Sequence, residues 1–217
     1  METKYSFSLN QSPHIRDGDT TQKIMFTVVA ALIPVWVGSI YYFGWRALWL
    51  VLVSVAFSLA AEAGFQWLRR QPITIHDGSA VITGMLLGLS LPPSLPLWMA
   101  ALGAIAAMGL GKHVFGGLGH NPFNPALVGR AFLVASFTVP MTTWSRPFDG
   151  ITGATPLVLG AGMVNYGDLF FGSVAGSIGE TSVFALLIGA IILFYRGVID
   201  YRISLSFVGT TAILMAV

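Results

Sequence analysis

Asp149-Gly-Ile-Thr-Gly-Ala-Thr155-Pro-Leu157 is a short polar island between long apolar runs. Thr155 suits a helix N-cap, with Pro156 at the first helical position. A helix N-terminus presents unpaired N–H groups and a partial positive charge, so it favours a phosphate. Gly150 and Gly153 let the backbone approach a bulky group closely. The chemistry these residues allow is the holding of a phosphorylated ligand. The plain alternative is an ordinary loop and cap.

Few other residues have a reactive character. Arg130 lies about one turn inside an apolar run, where a buried cation is costly and marks a functional candidate. It is suited to a phosphate or a carboxylate, or to snorkelling toward the interface. Glu62 sits within another apolar run and is similarly ambiguous. Glu180, before a further run, reads as a capping group. Asn121-Pro-Phe-Asn-Pro-Ala126 suggests a channel half-helix, but both Asn-Pro units share one loop. Asn124 as N-cap with Pro125 at the first turn is the simpler reading. Asn121 and Asn124 stay candidates for lining a cofactor or ion path. The four histidines, His14, His76, His113 and His120, read as loop residues and do not suggest haem or a metal centre. With no cysteine there is no disulfide, thiolate zinc site or all-cysteine iron–sulfur cluster. No cluster of intramembrane carboxylates marks an ion site, and no catalytic side chain stands out.

The elements that must position these residues follow from composition. Hydrophobic residues make up 55% of the chain and charged residues 9%, which excludes an ordinary soluble domain. The net charge of +2 gives no reason to expect nucleic acid as a partner; membrane lipid is the expected surroundings. The start lacks a signal peptide's layout. The fold class is therefore all-α, a polytopic integral membrane protein with about seven transmembrane or half-membrane helices. A polar arm covers 1–23, and a membrane domain covers 24–217. Apolar spans are predicted at 24–43, 47–68, 78–91, 97–110, 126–139, 181–195 and 203–217. Pro34 interrupts the first, and Asp77 is a plausible N-cap for the third. That third segment, at 14 residues, spans about 21 Å against a hydrocarbon core of about 30 Å. Short, Gly/Pro-interrupted segments are where membrane proteins place ligand sites. Residues 158–179 read as irregular or shallow. Gly84-x-x-x-Gly88 and Gly172-x-x-x-Gly176 signal close helix packing or room for a planar ring.

Lysine and arginine placement gives orientation. With a cytoplasmic N-terminus, the inner loops hold Lys4, Arg16, Lys23, Arg69, Arg70, Lys112, Arg196 and Arg202, and the outer loops only Arg46 and Arg146. The Thr155 loop then lies on the outer face of a bacterial or archaeal cytoplasmic membrane.

Asp149-x-x-Thr152-Gly153-Ala154-Thr155 resembles the flavinylation motif of the Rnf and Na⁺-translocating NADH:quinone reductase systems. Ser12-Pro-His-Ile-Arg16, Asp77-Gly-Ser-Ala80 with Thr83-Gly84 and Leu91-Pro-Pro93, Gly119-His-Asn-Pro-Phe-Asn-Pro-Ala126 and Gly179-Glu-Thr-Ser182 also look like segments of that family, closer to RnfD of the Rnf complex than to its counterpart in the quinone reductase. The resemblance implies FMN bound through a phosphoester to Thr155. Asp149 and Thr152 would position the loop or bond to the phosphate, and Gly153 and Ala154 would give clearance. It implies an electron-carrying subunit of an ion-translocating ferredoxin:NAD⁺ oxidoreductase, coupled to Na⁺ or H⁺ movement. The other membrane and peripheral Rnf subunits and a flavin transferase are the implied partners. It further implies two helical halves: 24–140 as the first repeat, 141–157 as an external attachment loop, and 158–217 as the start of a second. The sequence stops early in that second half, so a fragment is expected, with a second flavin expected in the part beyond it. A sodium-pumping quinone reductase subunit and a non-redox channel or transporter are the alternatives.

Overall fold

The computed structural model describes residues 20–159 and 165–216. Among them the chain is helical, with one isolated antiparallel bridge between Ser145 and Thr152. The predicted spans are present. They are α1 (Thr21–Phe43), α2 (Trp45–Leu68), α3 (Ser79–Leu89), α4 (Leu97–Met108), α5 (Pro125–Ser136), α9 (Val183–Tyr195) and α10 (Tyr201–Ala216). Between them lie the short α6 (Thr138–Thr142), α7 (Pro156–Leu159) and α8 (Tyr166–Phe171). Both α1 and α2 are long and apolar enough to cross a membrane; the rest are shorter. This is an all-α, polytopic integral membrane protein. The predicted arm lies mostly outside the described residues. The first helix starts before residue 24 because Thr20 Oγ1 accepts from the Lys23 amide at 3.3 Å and caps it.

The core is built on α2, which packs on α3 and α4, with α5 against α4 and α9 against α1. In lipid, helices gain little from hydrophobic burial against one another, so small residues that allow close contact decide where they pack. A Cβ on Gly84 would stand 2.5 Å from Val55 Cα, and one on Gly88 2.8 Å from Val51 Cα. That repeat therefore serves helix packing. Gly172-x-x-x-Gly176 is not one helix face: Gly172 ends α8 at φ +113°, a left-handed conformation that favours glycine, and packs closely on the start of α9, its added Cβ falling 3.0 Å from Ser182 Cα. Gly129 packs equally tightly on α4, its added Cβ falling 2.7 Å from Ala107 Cβ. Leu50, Leu87, Leu91, Leu95, Met108 and Leu133 fill the centre.

The two ends of the bundle differ in charge. One end gathers the start of α1, the turn at Ile75–Asp77, the start of α3 and the end of α9. It carries Lys23, Arg69, Arg70, Arg196 and Arg202. The opposite end carries Arg46, whose guanidinium donates to the Pro93, Ser94 and Leu95 carbonyls at 3.1–3.3 Å and holds the Pro-Pro turn. Arg146 lies at that end too, in a cavity shared with Arg46 and Gly150.

Candidate functional site

Residues 144–153 form a small hairpin. The Arg146 amide donates to Ile151 O at 2.8 Å, and the Gly153 amide to Trp144 O at 2.9 Å. Gly150 turns the tip with φ +65°, and Phe148 shares the left-handed region at φ +66°. The Phe148 amide donates to Tyr42 O at 3.0 Å, which pins the hairpin to α1, and the Tyr42 hydroxyl donates to Phe171 O, which ties α1 to the end of α8. Asp149 and Thr152 are exposed at this hairpin, as is Ala154 after it. The clearance at Gly153 is filled by a cation: an added Cβ would lie 2.9 Å from Arg146 Nε and 3.0 Å from its Cγ. The sequence did not link these two residues.

Thr155 is half-buried and stands immediately before α7, its carbonyl accepting from the Val158 amide at 2.9 Å. That is the predicted N-cap position with Pro156 first in the helix. Residues 160–164, where the following segment was expected to continue, lie outside the described residues.

Thr155 opens onto a cavity of about 890 Å³, within the usual range of cofactor sites. Its lining brings together Trp144, Thr155, Tyr166, Ser177, Glu180 and Arg130, which come from five separate stretches of the chain. Arg130 Nη1 lies 3.4 Å from Glu180 Oε1, with side chains 29% and 60% exposed. Glu180 is therefore not the cap of the following helix. Ser182 has that role, its hydroxyl accepting from the Ala185 amide at 3.3 Å. Glu180 is placed by a loop strapped to the core: the Gly179 amide donates to Leu89 O at 2.7 Å and the Ile178 amide to Leu91 O at 3.1 Å. Ser39 Oγ donates to Ile178 O at 2.9 Å. Ser177, on the same loop, is among the lining residues, but its hydroxyl is fully buried and has no hydrogen-bond partner among the described residues. A buried hydroxyl without a partner is rare, and this one is shielded from the cavity.

An FMN suits this lining. Arg130 offers a cation for a phosphate and Trp144 and Tyr166 offer aromatic faces, while Arg146 lies over nearby Gly153 and lines a different cavity. Asn121 and Asn124 do not line it. Asn121 Nδ2 donates to Phe123 O at 2.9 Å, and Asn124 Oδ1 accepts from the Ala126 amide at 3.0 Å. Asn124 thus caps α5 with Pro125 in its first turn.

A second cluster was not foreseen. Lys112 and His113, read above as loop residues, belong to a π-helical turn, Gly109–His113, that continues α4 into the core. They are 2% and 4% exposed. Lys112 Nζ donates to Glu62 Oε1 and, at 2.7 Å, to Ser79 Oγ. Ser79 Oγ donates to Asp77 Oδ1 at 2.7 Å, and Asp77 also accepts from the Ser79 amide at 2.8 Å. The N-cap of α3 is Gly78 and not the expected Asp77, which ends the preceding turn and holds Ser79 from one residue further out. Gln66 Nε2 bridges Glu62 Oε1 at 3.3 Å and Thr74 Oγ1 at 2.8 Å. Lys112 is therefore not one of the inner-loop cations. A signal was present: Ser54, Ser58, Glu62 and Gln66 recur every four residues along α2, and all four are buried. Polar residues at that spacing in a membrane helix mark a protein-facing stripe. Among the described residues no group of three or more potential ligands could hold a metal ion.

Residues 8–217 match the model of the NQR2, RnfD, RnfE family. Three relatives, each the D component of its complex, are similar over most of this chain. The chain is 45% identical over 217 residues to that component of the Na(+)-translocating ferredoxin:NAD(+) oxidoreductase complex of Acetobacterium woodii, covering 96% of this chain and 68% of that protein. It is 39% identical over 228 residues to that of the proton-translocating ferredoxin:NAD(+) oxidoreductase complex of Clostridium ljungdahlii, covering 97% and 69%. It is 34% identical over 243 residues to that of the ion-translocating oxidoreductase complex of Rhodobacter capsulatus, covering 94% and 68%. The chain belongs to the NQR2, RnfD, RnfE family.

Proposed function

We propose that this member of the NQR2, RnfD, RnfE family is the RnfD-type membrane component of an ion-translocating ferredoxin:NAD⁺ oxidoreductase, and that it carries FMN covalently on Thr155. The relatives' names support the first part. The second rests on the motif and on one observation: Thr155, Arg130, Trp144 and Tyr166 line one cavity. The flavin supplies one- and two-electron chemistry when bound. The protein's own residues tether and surround it. Thr155 is the attachment point. Arg146, lying over Gly153, and Arg130 offset phosphate charge. Trp144 and the exposed Tyr166 offer aromatic faces to the ring. The exposed Asp149, Thr152 and Ala154 present the hairpin to a flavin transferase. The charge division between the two ends favours a cytoplasmic N-terminus and an outer Thr155 loop, with 24–140 as one helical repeat and 158–217 as the start of a second.

Peptide mass spectrometry on the denatured protein from its own host tests this. The expected result is an FMN adduct on the Thr155 peptide that is lost in Thr155→Ala. An unmodified peptide in protein from that host would return Thr155 to a plain helix cap.

A further inference from the structure

The turn from α1 to α2 at Gly44 and the 144–153 hairpin enclose a cavity of about 560 Å³. Tyr41, Tyr42, Phe43 and Phe148 wall it, and Arg46 and Arg146 both line it. The two arginines assigned to the outer loops thus meet at one place. Among the described residues no acidic side chain lines this cavity, and the ion pairs there are Glu62–Lys112 and Arg130–Glu180. Arg46 donates to backbone carbonyls alone. Neither charge is neutralised by a carboxylate. Gly44, where α2 starts with no side-chain cap, is also in the lining, so the positive end of that helix adds to the field. Ser145, itself 6% exposed, supplies a hydroxyl with no hydrogen-bond partner among the described residues.

The surroundings identify the ligand class. Tyr41 and Trp45 are 71% and 75% exposed, and tyrosine and tryptophan exposed at the ends of membrane helices lie at headgroup depth. From Tyr41 an exposed apolar strip runs back along one face of α1 through Val37 and Ile33. A cationic cavity at headgroup depth, continuous with a lipid-facing strip, matches an anionic amphiphile. We propose that this cavity binds the headgroup of one anionic phospholipid. Its phosphate sits between Arg46 and Arg146, and an acyl chain lies along Val37 and Ile33. The cations gain from the phosphate while the chain stays in hydrocarbon. The proposal does not rest on the flavin reading, whose cavity shares no lining residue with this one.

The test uses the native complex in nanodiscs of phosphatidylcholine with a minor share of phosphatidylglycerol. Phosphatidylglycerol retained per complex is read by native mass spectrometry after detergent extraction. Arg146→Gln should lower retention about fivefold while phosphatidylcholine is unaffected. Arg46 also holds the Pro-Pro turn, so Arg146 is the cleaner site to change. Ile33→Ser with Val37→Ser, which weakens the acyl strip and keeps both arginines, should lower retention too. Arg69→Gln with Arg70→Gln, charges at the opposite end, should leave it unchanged. Equal losses in that control would reduce the effect to general surface potential and overturn the proposal. Unchanged retention in the double serine variant would mean a free anion rather than a lipid, and would overturn it as well. Unchanged retention in Arg146→Gln, with another subunit lost from the complex instead, would assign the cavity to an acidic segment of a partner.

Discussion

Removing one partner of the Glu62–Lys112 pair should damage this protein far more than removing both. The Glu62 and Lys112 side chains are 1% and 3% exposed, so neither charge can be hydrated without opening the bundle. Lys112→Met leaves a carboxylate whose Oε2 already lacks a partner and whose Oε1 keeps only Gln66. Glu62→Leu leaves an ammonium bonded only to Ser79 Oγ. An uncompensated buried charge of this kind costs about 3–5 kcal/mol. Replacing the whole pair by apolar residues of similar volume is often neutral or stabilising. Here Gln66 and Ser79 would each lose one bond but keep another, to Thr74 and Asp77. The double variant should therefore lose at most about 3 kcal/mol, against about 6–10 kcal/mol for the summed singles. The coupling is then at least about 3 kcal/mol. Heating the four proteins in one detergent and measuring the monodisperse fraction by size exclusion reads this directly. Each single variant should lose roughly 6–20 °C in midpoint. Two mild singles whose effects simply add in the double would mean the charges are hydrated or apart, and the buried-pair argument would fail.

Two further outcomes are expected. Gly84→Ala places a Cβ against the Val55 backbone and should cost about 1–3 kcal/mol. Gly64→Ala, with nothing within 4 Å of the new Cβ, should match the wild type in the same heating assay, and equal behaviour of the two would refute the close contact. Arg130→Gln breaks a partly exposed pair worth under about 1 kcal/mol, so the midpoint should barely move. In-gel flavin fluorescence should nevertheless fall, and an unchanged flavin signal would remove Arg130 from the cofactor site.

What the sequence disclosed and what it hid follow one division. Elements set by adjacent residues were legible. Apolar runs gave the spans, Asn124-Pro125 gave the start of α5, and Thr155-Pro156 gave the start of α7. Pairings across the chain were not. Glu62 and Lys112 are 50 residues apart, as are Arg130 and Glu180. Gly111-Lys-His113 breaks the apolar pattern just as a loop would, so nothing local distinguishes a π-helical turn buried in the core. Burial then separates the two pairs physically. The Glu62–Lys112 pair is closed among α2, α3 and the end of α4, where a misregistered helix would strand a charge, so it acts as a lock on that packing. Arg130 and Glu180 are 3.4 Å apart and partly exposed, and a pair that loose loses little when its cation turns to another anion. The cavity beside Thr155 is where such an anion would arrive.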